Sequence, residues 1–244
     1  MNHLPNKVAL AVEGLGKSFI LHMHGGARLP VVANVGFVVH AGECVVLGGP
    51  SGTGKSSILK MLYGNYLAGC GHIRVRHDSD MVDIVGAEPR VVLDVRRRTL
   101  GYVSQFLRVI PRVPTIEIVA EPALAAGVAR DRAMERAAGL LDTLNLPERL
   151  WRLPPATFSG GEQQRVNIAR GFAGEHTILI LDEPTASLDA ANREAVIGLM
   201  ATRKAAGTAF VGIFHDEEVR ARVADRIIDV AGFAARDHVT GEAA

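Results

Sequence analysis

The sequence has no apolar run of the roughly 18 residues that a membrane-spanning helix needs, so nothing in it reads as a span. Cysteine is scarce: Cys44 and Cys70 are the only two, too few for a disulfide framework. Charge of one sign is not in excess. Lys and Arg number 27 against 26 Asp and Glu, a formal net charge of +1, which gives no support for nucleic acid or an anionic lipid surface as the main partner. Residues 1–7 lack the apolar core of a secretory signal, and with so little cysteine the expected location is cytoplasmic. Nine histidines show no metal-ligand spacing; His22 and His24 stand two apart in a segment rich in breakers. Internal repeats and low-complexity tracts are absent.

What is present is an ordinary folded chain. Its 244 residues are 48% hydrophobic and 22% charged, enough to bury a sizeable core. Short apolar runs at 8–12, 31–39 and 44–47 alternate with glycines and read as strands joined by turns, with Cys44 a buried small hydrophobe. The insert 21–30 holds three Gly or Pro breakers and reads as a loop. Residues 55–63 have helical periodicity. Segments 72–76, 91–95 and 101–105 read as strands, with Arg96-Arg97-Arg98 as a solvated turn between two of them. From 122 to 150 the chain is rich in Ala, Leu and Arg, and Ala133, Ala137, Leu140, Leu141 and Leu144 fall on one helical face. A buried strand at 177–181, a helix over 190–206 and a strand at 209–214 follow, and the segment from 233 onward reads as polar and frayed. Strands alternating with helices imply a parallel sheet covered on both faces, with phosphate sites at the strand C-terminal ends. The helical block between Phe106 and Gly174 interrupts that core as a separate lobe.

Three segments carry chemistry. Gly49-Pro50-Ser51-Gly52-Thr53-Gly54-Lys55-Ser56 fits G-x-x-x-x-G-K-[ST], preceded by an apolar strand and followed by a helix. Its glycines let backbone N–H groups turn around a β-phosphate, Lys55 adds a point charge on the β/γ oxygens, and the Ser56 hydroxyl suits Mg²⁺. Ser57 completes the candidate nucleotide set. Asp182 and Glu183 end the strand Ile178–Leu181. Because side chains alternate along a strand, the two carboxylates are expected to divide their labour, Asp182 holding magnesium and Glu183 activating the attacking water. Thr157-Phe158-Ser159-Gly160-Gly161-Glu162 is a turn running into a polar helix, whose exposed N–H groups and N-terminus suit a phosphate.

Together these motifs resemble the nucleotide-binding domain of the ATP-binding cassette (ABC) superfamily, along nearly the whole chain. The resemblance implies an α/β P-loop fold with an antiparallel β layer and an inserted α-helical signature subdomain. It implies one domain over 1–244, with 1–105 and 175–244 as the ATP-binding core and 106–174 as the subdomain. It further implies Mg-ATP hydrolysis, with ATP and Mg²⁺ as cofactors. Gln105 matches the glutamine that touches magnesium or the lytic water. His215 matches the switch histidine on the γ-phosphate, and Ser187-Leu188-Asp189 the dimer-contact loop. Ser159, Gly160 and Gly161 match the signature that caps a partner's ATP, and Phe19 is the candidate to stack on adenine. Phosphate loop and signature then lie on opposite lobes, so a head-to-tail dimer with itself or a sister subunit is implied. Phe158 and Glu162 stand where leucine and glutamine are commoner, and His215 follows Gly212-Ile213-Phe214 rather than a threonine-containing strand end.

Residues 21–30, 101–111, 146–151 and 211–216 lie largely outside the shared motifs and resemble the PhnL family, the soluble ABC subunits of the carbon–phosphorus lyase system for phosphonate breakdown. That resemblance implies the lyase core complex as partner, and a role in synthesis of α-D-ribose 1-methylphosphonate 5-triphosphate. The alternative is the ATPase of a lipoprotein-release or macrolide-export type transporter with a separate permease, whose sequences share the Gln105-Phe106 region and Pro111. A binding module that clamps without hydrolysis is a third reading, and Glu183 argues against it.

Overall fold

Every residue of the third strand, Cys44–Gly48, is buried, and the fold is arranged around that fact. The computed structural model describes residues 7–21, 26–107 and 111–234. Nine strands form two sheets among the described residues. β1 (Val8–Leu21), β2 (Ala27–His40), β4 (Cys70–His77) and β5 (Asp80–Asp83) make an antiparallel layer in the order β2-β1-β4-β5. β3 (Cys44–Gly48), β6 (Leu100–Val103), β7 (Ile178–Asp182), β8 (Ala209–Ile213) and β9 (Arg226–Asp229) make a parallel sheet in the order β6-β7-β8-β3-β9.

The inner parallel strands β3, β7 and β8 bury every residue and so read as continuous apolar runs, while β9 at one edge is mostly exposed. Alternate residues divide between two cores. Val45, Leu47, Ile178, Ile180 and Val211 pack with Leu10, Leu15 and Val35 of the antiparallel layer and with helix α1 (Lys55–Leu62). Cys44, Val46, Leu179, Leu181 and Phe210 pack on the helices of the opposite side. Those helices are α3 (Thr115–Ala125), α4 (Arg130–Thr143), α5 (Glu148–Trp151), α6 (Gly160–Ala173), α7 (Ala190–Ala205) and α8 (Glu217–Val223). The expected helical face holds: Ala133, Ala137, Leu141 and Leu144 are fully buried and Leu140 packs against them.

Three expectations are corrected. Residues 91–95 are not a strand but lie in α2 (Pro89–Arg98). Proline at its first turn presets φ, and Asp94 pairs with Arg97 and Arg98 one turn on, while only Val95 is buried. The arginine run is therefore the last turn of a helix, where cations meet its negative end. The insert 21–30 is mostly not loop: β1 runs to Leu21 and β2 starts at Ala27, paired through Ile20↔Arg28 and Phe19↔Leu29. Residues 22–25, with His22 and His24, lie outside the described residues, as do 235–244 of the segment expected to fray. The first helix of the lobe, α3, begins at Thr115, and the Ala-, Leu- and Arg-rich stretch from 122 opens inside it, at Pro122.

The consequence for function is positional. Gly49 follows β3, Glu183 follows β7, Phe214-His215 follows β8 and Ser104-Gln105 follows β6, so four loops emerge along one edge of the parallel sheet.

Candidate functional site

The phosphate loop is held open by left-handed glycines. Gly49, Gly52 and Gly54 have φ of 117°, 84° and 95°. At Gly54 a side chain meets a second obstacle, since a Cβ would lie 2.6 Å from Val32 Cγ1. The loop thus lies directly on β2, and α1 starts at the next residue with no side-chain cap and no acid in its first turn. Its first N–H groups are left to a ligand. Lys55 is only 8% exposed, and its ammonium donates to Gly49 O at 2.8 Å and Pro50 O at 2.7 Å. A buried cation whose partners are two carbonyls of its own loop suits a phosphate, and Thr53 Oγ1, donating to Pro50 O, fixes the turn.

Asp182 and Glu183 part company as expected, but not by strand alternation. β7 ends at Asp182, and Glu183 takes a left-handed φ of 53°, an uncommon conformation for a residue with a side chain. Asp182 is 4% exposed, and its Oδ1 accepts from Ser56 Oγ at 3.3 Å and its Oδ2 from Tyr102 Oη at 3.0 Å. Burial pushes the Asp182 carboxyl above its ordinary value and the Glu183 charge adds to this; the Tyr102 and Ser56 hydrogen bonds and the Lys60 charge oppose it. Burial likewise keeps the Tyr102 phenol protonated, with Asp182 adding to the effect. A hydroxyl beside a carboxylate is a donor set of hard oxygens that fits Mg²⁺.

Glu183 closes a second group. Its Oε2 accepts from Gln105 Nε2 at 3.1 Å, and its Oε1 lies 2.6 Å from His215 Nε2. Three side chains from three loops, expected separately, are thus brought into hydrogen-bond contact. A cleft of about 330 Å³ contains Ser51, Gly52, Gly54, Lys55, Ser56, Ser57, Glu183 and His215, with Val31 from the antiparallel layer. Phe19 is not among those lining residues. Its ring packs edge-on against Tyr66, 5.5 Å between centroids, with Lys17 over it at 4.9 Å.

Ser159, Gly160, Gly161 and Asp189 also lie outside that cleft. Ser159 is the N-cap of α6 in a reciprocal capping box, accepting from Glu162 N while the Glu162 carboxylate takes Ser159 N at 2.8 Å. The Ser159 hydroxyl, which donates to the Glu162 carboxylate at 2.7 Å, and then the Ser159 N–H hold that carboxyl below its usual range. The unusual Glu162 is therefore the closing member of the cap, and Phe158 fills the helical core at 8% exposure. A Cβ on Gly161 would lie 3.1 Å from Ser187 O, so the signature turn and the Ser187–Asp189 loop form one exposed surface. Asp189 caps α7 through Asn192 N.

Two residues in α6 escaped the sequence reading. Gln164 and Asn167, both buried, donate to Pro184 O at 2.9 Å and to Ser104 O at 2.5 Å. One helix thereby joins the signature turn to the backbones beside Glu183 and Gln105. Their spacing, two amides three apart on an otherwise apolar face, was the available signal. Tyr102 was missed too, since it lies inside the segment 101–105 read only as a strand.

The family model described as ABC transporter matches residues 32–186. The lipoprotein-releasing system ATP-binding protein LolD of Ruegeria sp. is 35% identical over 91% of this chain and 95% of its own length. LolD of Maricaulis maris is 38% identical over 91% and 93%. These relatives carry lipoprotein-release names, where the sequence had suggested carbon–phosphorus lyase. Among solved structures, the dimeric post-hydrolysis state of the cassette MJ0796 bound to ADP and Pi is 26% identical, with a TM-score of 0.81 over 91% of this chain and 95% of that one. A second dimeric structure of MJ0796 gives a TM-score of 0.82. With its phosphate loop, paired carboxylates and signature turn in one framework, the chain belongs to the ABC transporter family and is an ATP-hydrolysing cassette that binds ATP with Mg²⁺.

Proposed function

We propose that this cassette powers a lipoprotein-release type transporter from the cytoplasmic side, together with a separate permease, by closing head-to-tail on a second cassette around two ATP molecules. The observation that carries the mechanical part is the division of the site. Phosphate loop, Glu183 and His215 share one cleft, while Ser159, Gly160, Gly161 and Asp189 sit on a different exposed surface of the same chain. A second protomer supplies that surface to the first one's nucleotide, so ATP shifts the pair towards the closed state by its differential affinity. The transport part rests on the LolD relatives, which align along nine-tenths of both chains. In this reading residues 1–105 and 175–244 form the ATP-binding core and 106–174 the lobe that carries the signature. Among the described residues no helix is long and apolar enough to cross a membrane, which leaves the passage itself to a partner.

The roles proposed for the residues are consistent with that geometry. Lys55 and the loop N–H groups would hold the β- and γ-phosphates, and Ser56, Asp182 and Gln105 are the residues that would hold magnesium. When bound there, magnesium would supply positive charge against that developing on the transferred phosphoryl group. Glu183 takes a proton from water as the water oxygen bonds to the γ-phosphorus and the bond to the β-bridging oxygen breaks, releasing ADP. Gln105 and His215 hold the two Glu183 oxygens, and His215 also faces the γ-phosphate. Phe19 remains the candidate for adenine only if its ring leaves Tyr66.

A second reading has its own support. The segments at 101–111, 146–151 and 211–216 resemble carbon–phosphorus lyase ABC subunits. One experiment separates the two: Glu183→Gln as bait, with and without Mg-ATP, in detergent-solubilised lysate of phosphate-starved cells. ATP-dependent capture of a permease supports transport. Capture of soluble lyase subunits instead overturns it in favour of the second reading, and identifies whether the dimer partner is the same chain or a sister.

A further inference from the structure

We propose that Tyr102 is a positioning residue that fixes which oxygen of Asp182 is presented to magnesium. The inference rests on the reading that Asp182 holds the ion. The two carboxylate oxygens are divided between two hydroxyls, Oδ1 towards Ser56 Oγ and Oδ2 towards Tyr102 Oη. A carboxylate with a free χ2 can offer either oxygen, and Mg²⁺ tolerates little deviation from octahedral geometry. By occupying Oδ2, the phenol leaves Oδ1 facing the Ser56 side.

The phenol is itself held. Tyr102 pairs with Ile180 across β6 and β7, two residues before Asp182, so the sheet register places the ring alongside the carboxylate. Its ring stacks on Tyr63, 5.0 Å between centroids and 24° from parallel. Tyr63 is the C-cap of α1 and is fixed in turn by Arg96, whose guanidinium lies 4.7 Å from the ring centre and whose Nε donates to Tyr63 O at 2.7 Å. The helix that starts with Lys55 and Ser56 therefore ends on the support of the residue that orients Asp182. Ser56 in the first turn of α1 and the Tyr63 ring that backs Tyr102 at its end thus belong to one helix.

The test is Tyr102→Phe, which keeps the stacked ring and removes only the hydroxyl. ATP affinity is measured calorimetrically in EDTA and across a Mg²⁺ titration, and turnover across the same titration. Outer-shell partners of metal ligands typically contribute about 10- to 100-fold to metal affinity. The expected result is an unchanged ATP affinity in EDTA and a half-saturating Mg²⁺ concentration about tenfold higher, with kcat largely restored at saturating Mg²⁺. Identical Mg²⁺ dependence in wild type and variant overturns the proposal. So does an equal loss of ATP affinity with and without Mg²⁺, which marks a packing role alone. Asp182→Asn is run alongside. If it too leaves Mg²⁺ dependence intact, the fault lies in the role given to Asp182, and the proposal for Tyr102 falls with it.

Discussion

Replacing Glu183 by glutamine isolates the proton-accepting role from everything else the side chain does. The carboxylate sits between two partners, Gln105 Nε2 on Oε2 and His215 Nε2 on Oε1. An amide can keep both contacts, its oxygen accepting from Gln105 Nε2 and its NH₂ donating to His215 Nε2 in the tautomer whose proton is on Nδ1. The left-handed backbone at φ 53° strains glutamine no more than glutamate, so the fold is unaffected beyond about 1 kcal/mol, the net worth of one hydrogen bond. What disappears is basicity. A positioned general base contributes about 10²- to 10⁴-fold in rate, or about 2.7 to 5.4 kcal/mol at 1.36 kcal/mol per decade. Because Lys55, Ser56 and the phosphate loop are untouched, ATP binding persists and the closed dimer accumulates. The assay is steady-state phosphate release beside analytical ultracentrifugation with and without Mg-ATP. Turnover within threefold of wild type refutes Glu183 as the base; lost turnover with no ATP-dependent dimer refutes the sandwich.

Other consequences are independent of that base. Gly54→Ala forces a Cβ into a left-handed turn and against Val32, and is expected to lower stability by about 1–3 kcal/mol and weaken ATP binding; an unchanged urea midpoint contradicts this. Asn167→Ala strips the Ser104 carbonyl of its donor, costing about 1–3 kcal/mol if it stays unpaired, and loosens the residue before Gln105. Its kcat should fall more than its ATP affinity, and wild-type kcat would refute the link from α6 to that loop. The two thiols should differ sharply. Burial pushes Cys44 up to about 12, so the folded chain keeps that proton, while Cys70 is exposed. At pH 8 a thiol reagent should label one cysteine quickly and the second only through the unfolding transition, where its ordinary value returns; two fast equivalents contradict the buried strand.

The chemistry was legible because its parts are contiguous. A phosphate loop needs its glycines, lysine and serine in register on one turn, so Gly49–Ser56 announces itself without neighbours. The carboxylates at the end of β7 and the Ser159 turn are local in the same sense, as are the apolar runs that became β3, β7 and β8. Local pattern also misled. Val91, Val92 and Val95 favour a strand by type, yet Pro89 and the Asp94–Arg98 pair make that segment helical with a single buried side chain. The extent of β1 was hidden because it bends at Gly14, where φ is 57° and the pairing with β2 shifts register. What no local pattern encodes is which loops meet. Gln105 reaches Glu183 across 78 residues, His215 reaches it across 32, and Tyr102 reaches Asp182 across 80. Those meetings follow from the strand order β6-β7-β8-β3, which sets β6 and β8 on either side of β7. The sequence alone marked the groups proposed to bind phosphate and magnesium and the lobe expected to carry each. Only the tertiary structure decided that Glu183 is held from both sides, that Tyr102 and not a second acid stands behind Asp182, and that Phe19 turns to Tyr66, because each of these depends on long-range packing between elements.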